Sequence, residues 1–215
     1  MRILGVVSFF VILSLSCQST VEVPESAPPL VLVKYDIPQM PPEQVESIKT
    51  KLSSLYPEGE VIHKTEDGFF SPSIDALVEE GSAAMPFIVE EYNSLFASGR
   101  NITKRHLLVE VARRIASRAH LGFVCWVLVK GDKTEKVTAA KALLEFGNNS
   151  CVPALISALD DIDREVIWRS GAALHRITGA DFGLRPEIND EDFKTAIYRW
   201  KLWYRDCYLR TSYGK

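Results

Sequence analysis

Between Asp132 and Gly183 the chain writes one amphipathic helix twice. Asp132 falls over Asp163 at an offset of 31 residues, and Val137 over Trp168, Ala140 over Gly171, Leu143 over Leu174 and Phe146 over Ile177 follow at the same offset. Each copy therefore reads as an acidic cap, an apolar face and a stop. The face steps by three and four residues (Val137, Ala140, Leu143, Leu144), which is the helical period and not the alternation of a strand. Between the copies, the run from Val152 to Leu159 is apolar at 152, 155, 156 and 159 and carries Pro153 where a first helical turn tolerates it. A pair of helices with one apolar stripe cannot shield that stripe alone, so it must stack on neighbours of its own kind.

Weaker copies extend the pattern toward the N-terminus. Ser71-Pro72 is a helix start with a serine cap, Gly81 ends that helix, and Met85-Pro86-Phe87 opens another. The next pair runs from Thr103 to Ser117, with Leu108, Val111, Ala112 and Ile115 on one face, and from Leu121 to Lys130. This gives three full pairs, a fourth first helix from Arg164 to Thr178, and a closing helix from Glu191 to about Leu209 that carries Phe193, Ile197, Trp200 and Tyr204. Upstream, Pro41-Pro42-Glu43 opens a helix to about Leu55, and the stretch from Gly59 to Phe70 reads as loop, with Glu60 to His63 as a candidate short strand. Leu30 to Tyr35 favours an extended conformation with no evident strand partner, so it is expected to lie against the solenoid or to fold with the next helix.

Ala-x-x-Leu-x-x-Phe-Gly from Ala140, Val-Pro-Ala-Leu-x-x-x-Leu from Val152 and Asp-x-x-x-x-Trp from Asp163 together resemble HEAT repeats of the short bacterial type also seen in phycobilin lyases. Thr178 to Gly183, followed by a Trp-rich helix, is similar to the closing turn and cap of such proteins. The resemblance implies an all-α fold, a short α-solenoid of HEAT-like helical hairpins with a C-terminal capping helix and an irregular N-terminal extension. It implies little about function, because the matching residues are the packing ones.

The N-terminus reads as an export signal: one positive charge at Arg2, thirteen mostly apolar residues from Ile3 to Leu15, then Ser16-Cys17. The apolar run is shorter than the roughly 20 residues a spanning helix requires. Leu13-Ser14-Leu15-Ser16-Cys17 resembles a bacterial lipobox, which implies lipidation of Cys17 and a membrane anchor at the bacterial cell envelope. Ordinary cleavage after Ser16, giving a secreted protein, is the second choice. The expected organisation is a signal peptide at 1–16, a tether at 17–41, an N-terminal helix and loop at 42–70, HEAT-like repeats at 71–189, and a capping helix and tail at 190–215. A hydrophobic fraction of 47% suffices for a real core, and a net charge of -3 marks neither a nucleic-acid surface nor an acidic tail.

No reactive constellation stands out. His63, His106, His120 and His175 are scattered, and none is followed by glutamate, so the iron-ligand pattern of HEAT-repeat hydroxylases does not carry over. Beyond Cys17 the cysteines are Cys125, Cys151 and Cys207, without zinc-motif spacing. Cys125 and Cys151 fall near the starts of successive second helices, side by side in a stack, and could form a disulfide in an oxidising compartment; the alternative is that they are small buried residues. The expected activity is non-catalytic binding of an unidentified protein or peptide, with no cofactor and no metal. The expected contact surface lies on the second helices, at Glu90, Glu91, Trp126, Asp160 and Asp161. Two other readings stay open: an accessory, lyase-like factor holding a small molecule, and polyanion or nucleic-acid contact through Arg105, Arg113, Arg114 and Arg118, which the export signal disfavours.

Overall fold

Helix starts follow the caps written in the sequence. The computed structural model describes residues 33–56 and 58–208, with side chains to residue 206. The expected signal peptide, the expected lipidation site at Cys17, most of the expected tether, the side chain of Cys207 and residues 209–215 lie outside the described residues. Ser71 caps α2 (Pro72–Val78) by accepting from Ile74 N–H. Asp132 caps α6 (Lys133–Phe146) and Asp163 caps α8 (Arg164–Thr178), each carboxylate accepting N–H groups of the first turn. At α6 the cap is reciprocal, because Glu135 returns to accept the Asp132 N–H. The remaining helices are α1 (Pro42–Ser53), α3 (Met85–Ser98), α4 (Ile102–Ile115), α5 (Leu121–Lys130), α7 (Val152–Ala158) and α9 (Asp190–Trp203), the last widening into a turn at Tyr204–Tyr208.

The described chain is thus mostly helical, with one exception inside the stretch read as loop. His63–Lys64 (β1) and Phe69–Phe70 (β2) pair antiparallel, His63 opposite Phe70 and Lys64 opposite Phe69.

The helices form two rows. In one, α2, α4, α6 and α8 pack in succession. In the other, α1 packs on α3 and α5 on α7, while Tyr92 of α3 meets the rings of Phe123 and Trp126 of α5 at 5.2 and 6.0 Å. Among helices consecutive in the chain, those that pack together most are α1 with α2, α3 with α4, α5 with α6 and α7 with α8. This pairing is one helix out of phase with the sequence grouping, which joined α6 to α7. The connections explain the shift. Gly131 and Gly147 close the ends of α5 and α6 alike, onto Val127 O at 2.8 Å and Leu143 O at 3.0 Å, but after Gly131 the chain passes straight into the Asp132 cap of α6, which packs on α5. The α6 to α7 link instead passes through Gly147 and a short turn at Asn149–Cys151, which sets α7 beside α5 and α8.

Between the rows lies one continuous core that includes Ile48, Ile74, Leu77, Ile88, Leu108, Val111, Ala140, Leu143, Leu155, Val166 and Leu174. Within it Arg105 of α4 forks onto Glu135 of α6, Nε to Oε1 at 2.8 Å and a terminal nitrogen to Oε2 at 2.6 Å, with the Glu135 side chain fully buried. The guanidinium also lies over the Phe96 ring at 4.9 Å.

The extended N-terminal segment lies along the row of odd-numbered helices. Val33 O accepts from Asn93 of α3 at 3.2 Å, and the Tyr35 hydroxyl accepts the Phe123 N–H near the start of α5, also at 3.2 Å. Gly122 sits under both side chains at van der Waals distance. Among the described residues no helix is long and apolar enough to cross a membrane.

Candidate ligand-binding groove

Helical spacing puts Lys133, Thr134, Val137, Thr138, Lys141, Leu144 and Glu145 along one face of α6. Beside it, α8 contributes Glu165, Trp168 and Arg169. Opposite, residues 64–69 of the β1–β2 hairpin rise as a wall, and Arg113 of α4 closes one end. The result is an open groove of about 1280 Å³ over the even-numbered helices.

The wall is held by side chains far away in sequence. Gly68, at φ +151°, presses on Glu110 of α4 so closely that a Cβ there would stand 2.6 Å from Oε2. Glu110 is fully buried, and burial raises its carboxyl pKa against the opposing pull of Arg113, Arg114 and the Phe69 N–H. Arg113 donates to Asp67 O at 3.2 Å, Lys141 donates to Glu66 O, and Arg114 lies over the Phe70 ring at 4.7 Å. Phe69 stacks on His106.

Most charges that line the groove are matched. Arg113 bonds Glu110 at 2.8 Å and Glu145 at 2.5 Å, Arg169 bonds Glu165 at 2.9 Å, and Lys133 reaches Asp163 at 2.6 Å. Lys141 differs. It donates to the Glu66 carbonyl, and among the described residues no carboxylate stands within ion-pair distance of it. Burial, then the positive fields of Arg169 and Arg113, lower its pKa. An anionic group placed here would relieve that mutual repulsion. Around it the groove offers the apolar faces of Val137, Leu144, Phe69 and Trp168, the last with Arg169 stacked at 4.4 Å.

Residues singled out in the sequence are distributed otherwise. Trp126 is buried, 5% exposed, among Tyr92 and Phe96, and so lines no surface. Glu91 pairs with Lys104, Asp161 with Lys136 and Asp160 with Lys201, and Glu90 is exposed on α3, so three of the four carboxylates are engaged with lysines. Most of the basic set is engaged as well. Arg105 is committed to Glu135, Arg113 to Glu110 and Glu145, and Arg114 to Asp75 and Glu110, which leaves Arg118 exposed. Cys125 and Cys151 do come together, as buried thiols on neighbouring helices.

Sequence reasoning placed Val137 and Trp168 in the packing stripe. Both are half-buried and line the groove, while Ala140, Leu143, Gly171 and Leu174 take the interior. The equivalence of Val137 and Trp168 was legible; their half-exposure depends on the hairpin opposite.

One cluster has metal-like composition. Ligand atoms of His106, Asp132 and Glu135 lie within 4.8 Å of one another. Arg105 already occupies that space, 2.6 Å from Glu135 and 3.6 Å from Asp132, and His106 Nε2 stands 2.7 Å from Asp132. Burial would raise the Asp132 pKa, but the hydrogen bond with His106 and the Glu135 N–H outweigh it and lower the value. A cation would have to displace a guanidinium from two carboxylates, so the cluster acts as an ion-pair network joining α4 to α6.

Searches against family models, curated proteins and solved structures return no match for this chain.

Proposed function

We propose that the protein is a non-catalytic binding module, a short α-solenoid of HEAT-like helical hairpins, that holds an extended acidic segment of a partner protein in the groove over α6. The observation that carries this reading is Lys141, a cation that, like Lys64 of the hairpin, has no carboxylate partner among the described residues, whereas Arg113, Lys133 and Arg169 beside it are each paired. Size favours a peptide: about 1280 Å³ exceeds the roughly 300–1000 Å³ typical of small-molecule sites. The lining suits an acidic side chain flanked by apolar ones, its carboxylate at Lys141 and its neighbours against Trp168 and Leu144. Residues 1–17 support attachment to the bacterial envelope through a lipid on Cys17.

The test is binding of an acidic-aromatic peptide library to the full chain and to Lys141→Ala. Loss of one charge-assisted hydrogen bond weakens selected peptides about ten- to hundredfold. Equal binding by both proteins, or selection of neutral peptides, rejects the groove reading. Retention of an organic ligand by the native protein in mass spectrometry would instead favour an accessory factor that holds a small molecule. The tether is tested by labelled palmitate, expected to enter the wild type and not Cys17→Ala; an unlabelled wild type removes the lipid anchor.

A further inference from the structure

Two thiols meet where consecutive helix pairs touch. Cys125 lies in α5 and Cys151 at the start of α7, and these helices pack side by side. Both residues are buried, at 7% and 0% exposure, and both are thiols in this structure. Each thiol perturbs the ionisation of the other, so the sulfurs lie close across the helix interface.

Their surroundings are unequal. The Asn148 backbone, the Ser150 hydroxyl at 4.0 Å and the field of Arg176 surround the Cys151 sulfur. Arg176 is fixed there by donating to Leu143 O at 3.0 Å and Gly147 O at 2.7 Å. The interaction with Cys125, aided by these groups, lowers the Cys151 pKa against its burial, whereas the same pairing and burial raise that of Cys125. A depression of about 570 Å³, lined by Asn148, Asn149, Ser150 and Arg176, opens over the turn that carries Cys151.

We propose that Cys125 and Cys151 are a redox pair, closed to a disulfide between α5 and α7 by thiol–disulfide exchange with a disulfide oxidant that enters over the Asn148–Ser150 turn. Cys151 is the nucleophile. Its thiolate, having released its proton, attacks one sulfur of the oxidant, breaking that S–S bond, forming a mixed disulfide and expelling one thiolate. Cys125 then loses its proton, attacks the Cys151 sulfur and expels the second thiolate. Two protons and two electrons leave the protein, and the oxidant departs as two thiols. Closure fixes α5 against α7 within the row of odd-numbered helices. This site is independent of the groove, which lies over α6 and α8.

The experiment equilibrates the full chain in glutathione buffers from fully reduced to fully oxidised, traps free thiols by alkylation under denaturing conditions, and maps the peptides. The expected product is a 125–151 linked peptide, lighter by two hydrogens, that appears as both residues lose their alkyl label together in one two-electron transition. Cys125→Ser should accumulate a mixed disulfide of glutathione on Cys151, whereas Cys151→Ser leaves Cys125 alkylatable. The wild-type map stands even where a variant fails to fold. Full alkylation of both residues at the most oxidising poise, or linkage to Cys17 or Cys207 in their place, overturns the pair. Modification of Cys125 first overturns the assignment of the nucleophile.

Discussion

His120 caps the turn that precedes α5 by accepting the Ser117 N–H at Nδ1, 3.1 Å away, and it packs edge-on against Tyr35. Acceptance requires the neutral ring, and burial lowers the pKa from its ordinary 6.5. A depressed pKa gives stability that is fully present above about 6.5 and is lost as pH falls through the folded value. Urea midpoints measured at about pH 7.5 and about pH 5.5 should fall more for the wild type than for His120→Gln. Carboxylates such as Asp163, held below their usual range by Lys133, act only nearer pH 4, and the groups shifted toward this window, the lowered Cys151 thiol and the raised Glu110 carboxyl, are common to both proteins, so the difference reports His120. The Arg105–Glu135 fork tests a different effect. Glu135→Leu strands a buried guanidinium and should cost about 3–5 kcal/mol by chemical denaturation, whereas Glu135→Leu combined with Arg105→Met should recover most of that loss. Additive single losses in the double variant would show that the two side chains do not depend on each other.

At the scale of elements, the sequence was most readable where the physics is local. Ser71, Asp132 and Asp163 each stand where a first turn needs an acceptor, and each caps its helix. Asp163→Ala should therefore cost about 1 kcal/mol in thermal or urea denaturation, with Asp163→Asn retaining most of the cap. A loss confined to the Lys133 contact would instead make the two variants equal. The hairpin was not readable, because strands of two residues carry no alternation. What forms them is distant: Arg113 and Lys141 reach the 66–67 carbonyls across 46 and 75 residues of sequence. The phase of the helix pairs was lost for a similar reason. Both candidate turns contain glycine, and only the course of the chain after Gly131 and Gly147 decides which helix is the nearer neighbour.

On the scale of the whole molecule, the two rows of helices have different roles. The odd-numbered row carries the extended segment at 33–36 and the thiol pair, and the even-numbered row carries the groove. The sequence reading placed binding on the second helices by analogy with the concave face of solenoids. Pairing separates the basic residues: arginines that cluster in sequence are engaged with Glu110, Glu135, Glu145 and Asp75, while Lys141 has no carboxylate partner among the described residues. The clearance above that lysine is set by a missing carbon. Where the hairpin arm meets the Glu110 carboxylate at Gly68 there is no room for a methyl group unless that carboxylate or the arm shifts. On the proposed reading, the aperture a ligand encounters is thus gauged at a single glycine contact, so bulk is screened there before charge is sensed.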